Sequence, residues 1–127
     1  MTYRYKNMAC SQMTDEEIAS CAGLFSEHYG TWSQSADEKM RGKNVKLSPA
    51  LFRKIYVEKP NRYVAMMFDR EKLIGQVLYI RCASPWRSTG KITFVQQLVV
   101  DKNYRGRRFG LKMLQSIFGL SNDDAWG

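Results

Sequence analysis

Residues 91–119 constrain this chain most. They read KITFVQQLVV, then DKNYRGRRFG, then LKMLQSIFG. A β-branched apolar strand runs into a tight basic glycine turn, and the turn opens an amphipathic helix. That arrangement aims several backbone N–H groups and the positive end of a helix dipole at one point, and a phosphate or pyrophosphate is its natural occupant. A strand placed beside the first after such a helix crossover runs parallel to it. The carboxyl end of the strand is then where α/β sheets commonly hold ligands.

The rest of the chain supplies a sheet and helices for this unit. Residues 3–9 alternate weakly and predict a short edge strand. Thr14 followed three positions later by Glu17 is a capping box. It predicts a first helix ending near His28 or Tyr29 before Gly30, with Ile18, Cys21, Ala22, Leu24 and Phe25 inward. Residues 31–47 predict a loop. Ser48-Pro49 starts a second helix, with Leu51, Phe52, Ile55 and Tyr56 as its apolar face. Residues 62–68 and 73–82 predict a hairpin, and Gly75 inside its second strand marks a bulge or a close approach. Residues 92–100 form the third long strand. The last helix is expected at about 107–118, with Leu111, Leu114, Ile117 and Phe118 inward and Gly119 as its cap. Residues 125–127 look like the beginning of a further strand.

Composition narrows the function. Twenty Lys+Arg against 12 Asp+Glu give a net charge of +8. Three of the arginines, Arg105, Arg107 and Arg108, fall in the turn, so part of the charge is local. The remainder is spread over the chain; nucleic-acid binding rests on net charge alone, with no aromatic RNA-binding signature and no zinc-finger spacing. No apolar run approaches the ~18 residues of a membrane span. The N-terminal residues lack the apolar stretch of a secretory signal, and the three cysteines, Cys10, Cys21 and Cys82, are scattered. A cytoplasmic protein with free thiols and no metal centre is expected.

The strand, the turn Arg105-Gly106-Arg107-Arg108-Phe109-Gly110 and the helix together resemble the coenzyme A-binding core of GNAT-type N-acetyltransferases. The family's turn reads Arg/Gln-x-x-Gly-x-Gly/Ala. Arg105 and Gly110 match its first and last positions, and Arg108 stands where its inner glycine belongs. The resemblance extends from about residue 12 to residue 127. It implies a three-layer α/β (α+β) fold whose mixed, mainly antiparallel sheet is flanked by helices. Residues 1–127 would be a single domain, C-terminally incomplete after the third helix. The backbone of Arg105, Gly106, Arg107, Arg108, Phe109 and Gly110 would hold the diphosphate of acetyl-coenzyme A. Leu98, Val99 and Val100 would pair with its pantetheine arm as an extra strand. Tyr29 and Trp32 would line the site of a small-molecule or peptide amine acceptor, and Tyr104 would anchor the turn.

No catalytic residue is assigned. The position where some relatives carry a glutamate base is Phe94, which takes no proton. Gln96 and Gln97 do not either at neutral pH. Gln97 orients a water or the acceptor, or is simply a polar residue on a strand face. His28, the only histidine, sits where an interaction with a helix C-terminus is expected. The family's tyrosine acid would lie beyond Gly127. An acetyltransferase is thus expected, weak or inactive as it stands. The alternative is a non-catalytic module of the same fold that pairs through an exposed strand edge with a second copy or a chain completing the sheet.

Overall fold

In the computed structural model, residues 3–29, 46–83, 91–117 and 125–126 are described. The elements run β1 (Tyr3–Ala9), α1 (Asp15–His28), α2 (Pro49–Phe52), β2 (Arg62–Asp69), β3 (Lys72–Ala83), β4 (Lys91–Val100), α3 (Phe109–Ile117) and β5 (Ala125–Trp126). The sheet has five strands in the order β1-β2-β3-β4-β5. The first four are antiparallel neighbours, and β5 joins β4 in parallel. Helices α1 and α2 cover one face, over Val64, Met66 and Leu78. Helix α3 covers the other, where Phe109, Met113 and Ile117 pack on Met67, Ile74 and Val77. This is the expected three-layer mixed fold.

Local signals set the starts of the helices. Thr14 Oγ1 accepts from the Glu17 N–H at 3.1 Å, and Glu17 Oε1 accepts from the Thr14 N–H at 2.9 Å. Glu17 also holds Lys6 of β1 at 2.6 Å, so the cap is tied to the edge strand. Its carboxyl sits below the usual range: burial opposes this, but the Lys6 and Thr14 hydrogen bonds outweigh burial. Ser48 caps α2 through the Leu51 N–H at 3.1 Å.

Helix α2 does not bury the face expected of it. After Phe52 the chain widens into a π-helical turn over Arg53–Val57, closed by the Glu58 N–H on the Arg53 carbonyl at 2.9 Å. Phe52 and Tyr56 point into the core, whereas Leu51 and Ile55 are 44% and 37% exposed. The turn gives only a narrow stripe to the sheet, and the two aromatic rings fill it. On α3, Met113 and Phe109 do the work assigned to Leu111, which is 50% exposed. Phe118, Gly119 and Gly30 lie outside the described residues.

Gly75 is both a bulge neighbour and a close approach. The β2–β3 register shifts after Met67↔Gly75, with Phe68 opposite Leu73. A Cβ on Gly75 would stand 2.6 Å from Met113 Cε, so the end of the Met113 side chain of α3 fills the space a side chain would take here. A second shift lies between β3 and β4: Leu78 faces Gln97 but Tyr79 faces Val95, so Gln96 is an extra residue on β4.

Candidate functional site

The carboxyl end of β4 leads into the arginine turn. Asp101 closes the strand, with its N–H on the Ile74 carbonyl at 2.8 Å. By the two-residue alternation of a strand, Val99 then also turns its backbone groups toward β3. Leu98 and Val100 turn theirs to the opposite edge. Strand β5 covers that edge only at Ile92 and Thr93. From Phe94 onward no strand among the described residues lies against it. Of the three residues expected to pair with a pantetheine arm, two are therefore available and Val99 is not. Part of Val100 is also engaged, because its carbonyl accepts from Arg105 Nε at 3.0 Å.

A set of short contacts fixes the turn. Asp101 is 2% exposed; its carboxylate accepts from the Asn103 N–H at 2.8 Å and lies 3.4 Å from Lys72 Nζ. Burial pushes its pKa up, but the Asn103 N–H, His28 and Lys72 together hold it below the usual carboxylate range. His28 Nδ1 accepts from the Lys102 N–H at 3.2 Å, so the ring proton sits on Nε2, facing Asp101 at 3.5 Å and Glu27 at 3.4 Å. Arg105 donates to the His28 carbonyl at the end of α1. The histidine is thus a joint between α1 and the turn, which is more than an interaction with a helix dipole. Tyr104 anchors the turn as expected: its hydroxyl donates to Asp69 Oδ2 at 2.6 Å, and this bond raises its pKa.

Beyond Tyr104 the turn bends sharply into α3. Gly106 has a φ of 82° and Arg108 a φ of 61°, both in the left-handed region. Arg108 is the N-cap of α3, since its carbonyl accepts the Lys112 N–H at 3.0 Å. An arginine has no side-chain acceptor for the first helical amides, which have no intrahelical partner either. The first turn of α3 carries no acidic residue. The N–H groups of Phe109, Gly110 and Leu111 are left at the positive end of the helix, directly after Arg107 and Arg108 in the chain. Phe109 contributes only its amide, because its ring is buried edge-on against Tyr3 at 4.9 Å. Gly110 lies beside Leu98, the nearest atom to a Cβ there being Leu98 Cδ2 at 3.5 Å.

The acceptor side is less complete. Tyr29 is 52% exposed and stacks on Phe25 at 4.4 Å. Trp32 lies outside the described residues. Phe94 is 43% exposed on β4. Gln97 is neither exposed nor free. It is 4% exposed and joined to Gln76 and Tyr56. Its partners are far away in sequence, and no local signal marks them. A groove of about 240 Å³ between α1 and the start of β3 includes His28, Lys72 and Asp101 but no residue of the arginine turn. Among the described residues no cluster of metal-ligating side chains occurs and no helix is long and apolar enough to cross a membrane.

Comparison with known proteins agrees with this geometry. The chain matches the acetyltransferase (GNAT) family model over residues 15–122. No curated protein matches it. Among solved structures it resembles an aminoglycoside acetyltransferase from an uncultured soil metagenomic sample, with a TM-score of 0.60 and 15% identity. That likeness covers 91% of this chain and 66% of the other, so the chain spans a little under two-thirds of its length. It also resembles a ribosomal-protein-alanine N-acetyltransferase from Brucella melitensis biovar Abortus (TM-score 0.60, 9% identity, 90% of this chain and 68% of that one). A third is an integron cassette protein from the mobile metagenome of V. cholerae (TM-score 0.63, 16% identity, 100% of this chain and 75% of that one). Identities this low speak for the fold alone, but the family model spans most of the sequence: the chain belongs to the GNAT family of acetyltransferases.

Proposed function

We propose that this chain binds acetyl-coenzyme A and serves acetyl transfer to a primary amine of a small molecule or peptide. The observation that carries the reading is the turn from Gly106 to Arg108, whose two left-handed residues open a helix with no capping side chain and no acid in its first turn. The residues present fit a diphosphate. The amides of Phe109, Gly110 and Leu111 supply donors, and Arg107 and Arg108 supply positive charge. The free edge of β4 at Leu98 and Val100 fits an amide-bearing arm in extended conformation.

Bound acetyl-coenzyme A supplies a thioester: the amine nitrogen forms a bond to its carbonyl carbon, the carbon–sulfur bond breaks, and the proton lost by nitrogen balances the departing thiolate. The described residues bind and orient. Arg105 locks the turn to β4 and α1, and Tyr104 locks it to β2. Tyr29, with Trp32, would line the acceptor side. Names of the related structures, an aminoglycoside and a ribosomal-protein-alanine acetyltransferase, agree with an amine acceptor. Calorimetric titration with coenzyme A tests the reading. One-to-one binding that Arg105→Ala and Gly110→Asp each weaken supports it, and absence of binding at millimolar ligand removes it.

A further inference from the structure

A chain of buried amides crosses the α1 face of the sheet. Gln76 is fully buried on β3, and its Nε2 donates both to the Cys21 carbonyl of α1 at 3.1 Å and to Gln97 Oε1 at 2.6 Å. Gln97 Nε2 then donates to the Tyr56 hydroxyl oxygen at 3.0 Å. The direction of this chain is fixed by its first member. A carbonyl only accepts, so Gln76 must present its NH2 to Cys21 and Gln97 its oxygen to Gln76. Flipping Gln76 would set its oxygen against the Cys21 carbonyl oxygen, and flipping Gln97 would set its NH2 against that of Gln76, both in a buried setting. The Tyr56 oxygen is consequently an acceptor toward the protein, and its proton is turned away from Gln97.

Three observations bear on what that proton can reach. Tyr56 lies on the π-helical turn, tilted against Phe52 at 4.9 Å, and keeps a narrow exposed fringe of 9%. Gln97 sits between the extra residue Gln96 and Leu98, whose backbone groups face the free edge of β4. Burial raises the Tyr56 pKa against the Gln97 hydrogen bond, with Tyr29 adding a smaller push, so the phenol keeps its proton at neutral pH and can donate it while its oxygen accepts from Gln97. Local widening to a π-turn is a frequent way of aiming a side chain at a site.

We infer that Tyr56 is a specificity-determining donor of the acceptor site, and that its hydroxyl selects amines carrying a neutral oxygen, hydroxyl or carbonyl, beside the amino group. The inference rests on the acetyltransferase reading above. An amine lacking that oxygen leaves the donor unpaired in a half-dry site, so it binds more weakly.

The test uses the whole chain saturated with coenzyme A and measures binding of paired amines calorimetrically. One pair is trans-2-aminocyclohexanol and cyclohexylamine; the other is glycinamide and propylamine. For at least one pair the oxygen-bearing member should bind roughly tenfold tighter. Tyr56→Phe should abolish that preference while leaving the oxygen-free amine and coenzyme A affinities unchanged. A merely structural role would instead weaken both amines alike. Gln97→Met, which removes the orienting donor but keeps the phenol, should reduce the preference; it carries the test should Tyr56→Phe fail to fold. Equal binding within both pairs, no amine binding, or a preference that survives both substitutions overturns the inference. Failure of the unaltered chain to bind coenzyme A is a separate outcome, and it overturns the acetyltransferase reading beneath.

Discussion

Replacing Arg108 with glycine should improve both the fold and the site. Arg108 holds a φ of 61° at the N-cap of α3. A side chain with a Cβ in that conformation costs ~1–2 kcal/mol relative to glycine. Glycine also enlarges the unfolded ensemble, which returns ~0.4–1 kcal/mol of that gain. The net expectation is a stabilisation of about 0.5–1 kcal/mol, a rise of roughly 2–5 °C in Tm for a domain of this size. Removing the side chain also lets a diphosphate approach the backbone, at the loss of one exposed positive charge. Arg108→Ala separates these effects, because it removes the same charge but keeps the Cβ. Thermal unfolding and coenzyme A titration of the two variants side by side should place Arg108→Gly above Arg108→Ala in both Tm and affinity. If Arg108→Ala equals or exceeds Arg108→Gly in stability, the strain argument is refuted.

Other expectations follow from single contacts. Gly106→Ala, at a φ of 82°, should lower stability by about 1 kcal/mol and weaken coenzyme A binding, read by urea unfolding and calorimetry. Asp101 has a folded pKa below its unfolded value, so its contribution is present above the ordinary carboxylate pKa and is lost as pH falls through the folded one. Asp101→Asn should therefore cost about 1–2 kcal/mol at pH 7, and the gap between its urea midpoint and that of the unaltered chain should narrow as pH falls below the ordinary carboxylate range; a constant gap would contradict this. Cys10 and Cys21 are fully buried; burial pushes the Cys10 thiol up to about 12 and raises Cys21 as well. A thiol reagent should modify the partly exposed Cys82 alone in the native chain, and all three cysteines once unfolded.

The elements legible from sequence were those set by neighbours a few residues apart. The Thr14–Glu17 box and Ser48-Pro49 gave the helix starts, Gly75 gave the bulge and the close approach, and Tyr104 gave the anchor. Misassigned faces came from tertiary competition. Leu51 and Ile55 have the spacing of an inner face, yet the π-turn leaves room there only for Phe52 and Tyr56. Leu111 is as apolar as Met113, but Met113 is the one that reaches the space above Gly75. At the turn, Arg105 matched the first position of the family's pattern, but its side chain is spent on the Val100 and His28 carbonyls, contacts that the pattern does not show. The Gln76–Gln97–Tyr56 chain was illegible for the same reason: each member reads as an isolated polar residue until the sheet brings them together.

The central claim is that the turn between β4 and α3 binds the diphosphate of coenzyme A. Titrating coenzyme A into the unaltered chain and into Gly110→Asp tests it most directly. The account predicts one-to-one binding to the unaltered chain, sharply weakened when a carboxylate is set among the amides of the first turn of α3. Equal binding by both chains, or no heat from the unaltered chain at millimolar ligand, would contradict it.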